Sequence, residues 1–449
     1  MPRFLKRQRA LRAVRHRVES SILLESSSND SDGCAVDFEM PGFDAFDQNE
    51  FTADSNEGSL GLDSSSNSQH HYSDDEHDRP DCLIELYFVM YNTRYFIPRR
   101  VNNKSTEFRQ MFFHDLHDDL FWQLTRMNKS SFFHLLEKVE AHPIFHNKAI
   151  VQQAPIESQL AVCLDRLGHD GNGACLNHMI PTWGISFGSL VNFSKRCFRA
   201  LEEVLKNMIQ FPSRNERSVI SAEFAKRGFP GCVGLIDGSL MPLAQRPAVL
   251  GECYWTRKSP YSINVQIVCD HHRKIQHVFA GMPRSCSNLT CTKKSPIWSF
   301  LTNCRSSILF DADQYILGDS GYQCMPHLVS AFKRADTNNE KENFNTCVAK
   351  CRVMNEHCIG VLKSRWHSLK EIRIQLNARK DSVWMVRWIT LCAKLHNYVI
   401  SENDDWTAAD LAADVGHQTD GELDVEPSEA ADGVDAGRVS HRALVAAGS

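Results

Sequence analysis

The sequence predicts an α/β fold with a helical region in front of it, on three observations. Between residues 84 and 228 apolar side chains recur three or four apart; after Gly228 short β-type runs take over; and two long helical patterns follow before residue 401. With 449 residues, 42% of them hydrophobic, the chain can bury a sizeable core and, at roughly 150 residues each, form about three domains. A purely disordered or fibrous protein is excluded. No stretch approaches about eighteen consecutive apolar residues, and the opening MPRFLKRQRALRAVRHR has no apolar h-region. The expectation is a soluble, intracellular protein.

Taken in order, residues 1–20 hold seven Arg/Lys and one Glu, the composition of a nuclear-import cluster or of a basic arm that touches phosphates. A nuclear location is therefore expected, although many short basic N-termini serve neither purpose. Residues 21–80 carry fifteen Asp/Glu against the single Arg79, and residues 402–449 carry twelve against two Arg. Both stretches lack a sustained apolar period, cannot repay the entropy of folding, and read as disordered acidic tails, with a short helix around Trp406 to Ala412 as the exception. Both tails are placed to shield a basic body. Subtracting them leaves residues 81–401 with 40 basic and 27 acidic side chains, a net of +13 hidden inside an overall charge of -5. A body this basic points to a polyanionic partner, most often nucleic acid, against the alternative of a solvated surface with no partner.

The domain boundaries that follow are a tail at 1–83, a helical domain at 84–228, an α/β domain at 229–401 and a tail at 402–449. In the helical domain FWQLTRMNKSSFFHLLEKVEAH, ESQLAVCLDRLGHDG and FGSLVNFSKRCFRALEEVLKNMI have helical spacing. ESQLAVCLDRLG, a Gly-rich break, CLNHMIPTWGIS and FGSLVNFSKRCFRAL form a helix-turn-helix arrangement, with Ser186 or Ser189 starting the second long helix. As a DNA reader that helix would present Ser189, Asn192, Lys195 and Arg196; as part of a plain bundle it would present nothing. In the α/β domain GCVGLI, YSINVQIVCD, KIQHVFAGM and, after an irregular insertion, SSILFDADQYILGDS read as strands; FNTCVAKCRVMNEHCIGVLKSRWHSL and SVWMVRWITLCAKLHNYVI read as helices.

Three acidic residues stand out by position. Asp237 closes the apolar run CVGLI and precedes Gly238, so its carboxylate emerges at a strand end; Asp319 closes YILGDSGY in the same way. Glu356 shares a helical stripe with Arg352, Gly360 and Lys363 and can face a sheet. Singly, each has a structural explanation: a turn, a cap, an ion pair with Arg352. Together, two strand-end aspartates and a helix glutamate supply the hard oxygen ligands of a two-Mg²⁺ or two-Mn²⁺ phosphoryl-transfer site, with cations roughly 3.5–4 Å apart. Cys347, Cys351, His357 and Cys358 form another metal-type cluster, but their spacing fits no standard zinc set, and the sixteen irregularly spaced cysteines fit reduced, mostly buried thiols.

At these residues the sequence resembles a known family. GLIDGSLMPL, YWTRKSPYSINVQIVCD, GDSGYQCMPHL, RVMNEHCIGVLKSRWHSL and LHNYVI are similar, in order, to the DDE nuclease domain of PIF/Harbinger transposases and the host nucleases derived from them. The resemblance covers roughly 229–401 and, more weakly, the helical region from about 107. It implies an RNase H-like core, Asp237, Asp319 and Glu356 as the catalytic and metal-binding triad, DNA as substrate, and a Myb-like accessory protein as partner. On that reading Arg257 and Lys258, beside the strand after the first aspartate, and Arg352, Lys363 and Arg365, on the glutamate helix, would position phosphates; the alternative is a generic basic surface. Trp255, Tyr322 and Trp366 could stack on a base, but fit core positions better. Two stretches depart from the family: GMPRSCSNL puts Arg284, Ser287 and Asn288 where relatives have Gly, His and Asp, and Ser239-Leu240 stands where Thr-His is usual.

The function expected is metal-dependent hydrolysis of DNA phosphodiesters by an endonuclease or transposase, with a 3′-hydroxyl as the second nucleophile if strands are joined. The alternatives are a catalytically inactive DNA- or chromatin-binding protein, and an Mg²⁺-dependent phosphoryl-transfer enzyme acting on RNA.

Overall fold

The computed structural model describes residues 11–18, 20, 80–92, 107–146, 153–171, 173–255, 261–302, 309–333 and 338–404. The chain divides into two compact units, Met1–Asn103 and Lys104–Ser449. In the first, residues 11–18 (α1) and Pro80–Asn92 (α2) are helical. The second contains both the helical region and a five-stranded sheet, so the border expected near residue 228 falls inside one compact unit, and the expected start of the helical domain at 84 falls within α2. The expected disorder of 21–80 and 402–449, and the helix around Trp406 to Ala412, lie outside the described residues apart from 80 and 402–404.

Helices α3 (Glu107–His114), α4 (Asp118–Thr125), α5 (Lys129–Glu140), α6 (Ile156–Gly168), α7 (Leu176–Trp183), α8 (Phe187–Val204) and α9 (Arg214–Ala225) precede the sheet. Their ends are capped locally. Asn128 Oδ1 accepts from Ser131 N at 2.7 Å at the start of α5, and Ser213 and Glu216 form a reciprocal capping box on α9. Gly184, at φ 59°, ends α7 in the left-handed conformation that glycine adopts without strain. Ser186 caps α8 by accepting from Ser189 N at 3.1 Å, so of the two serines it is Ser186 that begins the helix. Phe112, Phe121, Phe132 and Trp183 build the core of this region, all buried, with Phe112 and Phe121 stacked at 4.9 Å.

The strands are β1 (Cys232–Pro242), β2 (Ser262–Cys269), β3 (Ile275–Pro283), β4 (Tyr315–Gly318) and β5 (Leu328–Ser330). Their spatial order is β3-β2-β1-β4-β5, antiparallel from β1 to β3 and parallel from β1 through β4 to β5. β1 to β4 are the four runs read from sequence; β5 has three residues and too little periodicity to be read. β2 is buried along its whole length, the pattern of a strand covered on both faces.

One layer over the sheet comes from α10 (Asn288–Lys294), α11 (Trp298–Leu301) and the loops around β4, where Val233, Ile236, Val268, Ile297, Leu301, Phe310, Ile316, Tyr322 and Leu328 pack together. The long helix α12 (Asn339–Arg365) packs on β1, β2 and β4, and α13 (Arg379–Ser401) on β3. α13 also ties the sheet to the helical region: Trp384 and Trp388 stack near Phe198 of α8, and Arg387 grips Glu202.

Candidate active site

Strand geometry brings the two aspartates together. Leu235 of β1 and Leu317 of β4 are direct partners in the parallel ladder, and each aspartate stands two residues further on. Because side chains alternate with a period of two, that register carries Asp237 of β1 and Asp319, the residue after β4, to one level and the same face. Glycine shapes both positions. Gly238 N donates to Asp237 Oδ1 at 2.8 Å, and Gly321 N to Asp319 Oδ1 at 2.9 Å, so one oxygen of each carboxylate is aimed by backbone.

The third carboxylate comes from α12, whose stripe of Arg352, Glu356 and Lys363 runs along β1. Arg352 Nη2 donates to Asp237 Oδ2 at 3.0 Å and lies 3.7 Å from Glu356 Oε1, so one guanidinium links two members of the triad. Next to Glu356, Asn355 is wholly buried and its Nδ2 donates to the carbonyls of Leu235 and Ile267, at 2.6 and 3.4 Å. That bond fixes the helix against β1 two residues before Asp237.

Electrostatics mark this as a strained group of acids. Burial pushes the Asp237 carboxyl above its usual range; Arg352 pulls it back, and Asp319 adds to the rise. Burial opposes the Arg352 charge, yet Asp237, Asp319 and Glu356 together hold its guanidinium above the ordinary arginine value. Tyr322, buried beneath the site with Gln266 Nε2 3.2 Å from its hydroxyl, is pushed up by burial and by Asp237. Three carboxylates that need more positive charge than one arginine supplies are the donor set a hard divalent cation takes. Glu356 is exposed, and among the described residues no three His, Cys, Asp or Glu side chains, the triad included, are close enough to enclose one ion in this conformation.

Residues 236–397 match the family described as DDE superfamily endonuclease. The chain carries a DDE endonuclease domain. The resemblance read from the motifs is borne out, and Asp237, Asp319 and Glu356 all lie within the matched residues. Over 260 residues the chain is 24% identical to Protein ALP1-like of Arabidopsis thaliana, an alignment covering 56% of this chain and 62% of that relative. The chain thus spans a little under two thirds of the relative's length. No solved structure matches the chain.

The other expected site residues are dispersed. Arg257 and Lys258 lie outside the described residues. Lys363 is turned into the protein: its Nζ donates to Leu240 O at 2.8 Å and burial pushes it down to about 8, so it braces β1 rather than facing a phosphate. Arg365 is corrected outright, being buried, with Nη2 donating to Asp404 O at 2.7 Å and Nη1 3.7 Å from the Asp404 carboxylate. Its place at the end of α12, where the chain returns after α13, makes it a core ion pair instead of a groove cation. Lys195 and Arg196 are half-buried on α8, whose Leu190, Phe193, Cys197, Phe198 and Leu201 are buried; Asn192 is exposed. Trp366 and Tyr322 are core, and Trp255 is exposed.

Asn288, which the sequence reading placed outside the triad, lies against the glycines that follow the two aspartates. A Cβ on Gly238 would meet Asn288 Oδ1 at 2.7 Å, and one on Gly321 would stand 3.6 Å from Asn288 Nδ2. The side-chain amide therefore sits between the two glycines that flank the aspartates. Ser287, the replacement for histidine, caps α10 by accepting from Thr290 N at 3.2 Å. The residue that sequence reasoning missed is Asn355, whose only signal was its place on the inward side of the helix beside Glu356.

Proposed function

We propose that this protein is a DNA endonuclease that hydrolyses phosphodiester bonds with divalent metal ions held by Asp237, Asp319 and Glu356. The observation that carries the reading is the shared level of Asp237 on β1 and Asp319 just after β4, with Glu356 of α12 linked to Asp237 through Arg352. The strand order and directions of the sheet support an RNase H-like core. Mg²⁺ or Mn²⁺ bound there would lower the pKa of a water or 3′-hydroxyl nucleophile and stabilise the leaving oxygen. The chain's own residues do the positioning: backbone N–H groups orient Asp237 and Asp319, and Arg352 contributes a cation at the rim where a phosphate approaches. The basic body, net +13 over residues 81–401, supports duplex DNA as the polyanion and a nuclear location, and α6 to α8 supply a helical module through which Lys195 and Arg196 could contact the backbone. A Myb-like DNA-binding partner belongs to the same reading.

The test is cleavage of supercoiled plasmid with Mg²⁺ or Mn²⁺. Asp237→Asn, Asp319→Asn and Glu356→Gln should each remove cleavage by several orders of magnitude while leaving the fold intact, and the losses should not add. A wild-type chain that binds neither ion by calorimetry, and matches its triple variant in every DNA assay, would sink the nuclease reading. A DNA-binding protein without catalysis is favoured by one observation, the neutral Asn288 beside the glycines that follow the two aspartates. If the altered loop costs activity, Asn288→Asp with Arg284→Gly raises nicking at similar DNA affinity; equal nicking shows the departure is neutral.

A further inference from the structure

We infer that Arg352 is the resident cation of the acidic triad, and that a divalent metal ion loads the site only by displacing its guanidinium. The inference rests on the metal-dependent reading of the triad and deepens it: it says what holds the site together before metal arrives.

Four observations carry it. A single nitrogen, Nη2, is shared between Asp237 at 3.0 Å and Glu356 at 3.7 Å, rather than two nitrogens engaging one carboxylate in the tight fork that structural Arg pairs favour. The buried Nε meets no hydrogen-bond acceptor among the described residues, so the guanidinium is held by charge more than by a complete set of hydrogen bonds. Asp319, at the same level as Asp237, forms no ion pair with any described residue, which leaves one positive charge facing three acids. Glu356, the exposed member of the three, is joined to Asp237 through this same guanidinium.

A dication between Asp237 and Asp319 offsets the mutual repulsion of the aspartates better than a monocation on one side of them. The same ion repels the guanidinium across a few ångströms of poorly hydrated space, so the two occupants compete. Competition lowers the apparent metal affinity of the chain by the factor that the arginine contributes to the metal-free state. Once released from Asp237, the guanidinium stands on α12 beside the site, free to pair with an incoming phosphate.

The experiment is calorimetric titration of the full chain with MnCl₂, for the wild type, Arg352→Gln and an Asp237→Asn/Asp319→Asn double variant. Removing the competing charge should tighten Mn²⁺ binding by Arg352→Gln at least tenfold over wild type, while the double variant binds none. Thermal melts give a second readout: without metal Arg352→Gln should melt below wild type, and saturating Mn²⁺ should raise its Tm by more than it raises the wild type's. Equal Mn²⁺ affinities for wild type and Arg352→Gln would overturn the proposal and make the pair purely structural, with the metal reading intact. Absence of Mn²⁺ binding by every form would overturn the metal reading and this proposal with it. Should Arg352→Gln fail to fold, wild-type protein labelled with ¹⁵N-arginine decides the matter: titration with Mg²⁺ should move one Nε–H resonance with the calorimetric midpoint, and a spectrum in which none moves would overturn the proposal.

Discussion

Asn355 Nδ2 donates to the carbonyl of Leu235 at 2.6 Å, joining the helix of the third carboxylate to the strand of the first through a wholly buried bond. Replacing Asn355 by Ala strands a buried carbonyl and frees α12 to shift. A loss of about 1–3 kcal/mol in urea unfolding is expected, together with a fall in cleavage larger than any fall in DNA affinity. Asn355→Asp should be worse, because a carboxylate facing two carbonyls has nothing to donate.

The contact between Gly238 and Asn288 gives a prediction with its own control. A methyl group at Gly238 lands 2.7 Å from Asn288 Oδ1, so Gly238→Ala must push the amide away, at about 1–3 kcal/mol. Asn288→Ala removes the obstacle. The double variant should recover most of the loss, a non-additive cycle read by thermal or chemical unfolding.

Arg365 and Asp404 test the correction made above. Breaking a buried pair from one side leaves an uncompensated charge, so Arg365→Met or Asp404→Asn should each cost roughly 3–5 kcal/mol. Folded Arg365→Met at reduced temperature should bind duplex DNA with wild-type affinity. A drop in affinity with intact fold would return Arg365 to the groove.

His277 sets a pH window. Burial pushes its imidazole down to about 4, so the folded protein keeps it neutral while the unfolded chain titrates near pH 6.5. A base depressed by folding contributes full stability above the unfolded value and loses it as pH falls from about 6.5 to about 4, by at most about 1.4 kcal/mol per pH unit. His277→Gln should lack this slope, so the stability difference between wild type and variant should change across that interval, measured by denaturant unfolding at a series of pH values.

The positions of the two aspartates were legible in part because their signals are local: Asp319 does follow the end of β4, whereas β1 runs on past Gly238 to Pro242 and leaves Asp237 in mid-strand, because the polar residues after it still pair with β2. The four longer strands and the two closing helices were legible for the same reason, through their periodicity. What the residues do to one another depends on partners far along the chain. Arg365 and Lys363 read as cations on a helix, and only the return of the chain to Asp404 and the proximity of Leu240 turn both inward. Asn288 read as an isolated departure from a motif, because nothing in the sequence reports that α10 begins against one glycine of β1 and another in the turn after β4.

The matched leucines below the two aspartates make the backbone ladder a ruler for the site. Leu235 and Leu317 are paired, and everything above them inherits that alignment. Deleting one residue between Tyr315 and Gly318 would not merely shift Asp319 by a few ångströms; it would exchange the faces of every side chain beyond the cut, sending the carboxylate to the apolar layer beneath the sheet. Point substitutions at the triad abolish charge and leave shape, whereas a single-codon deletion in β4 keeps every charge and abolishes their meeting.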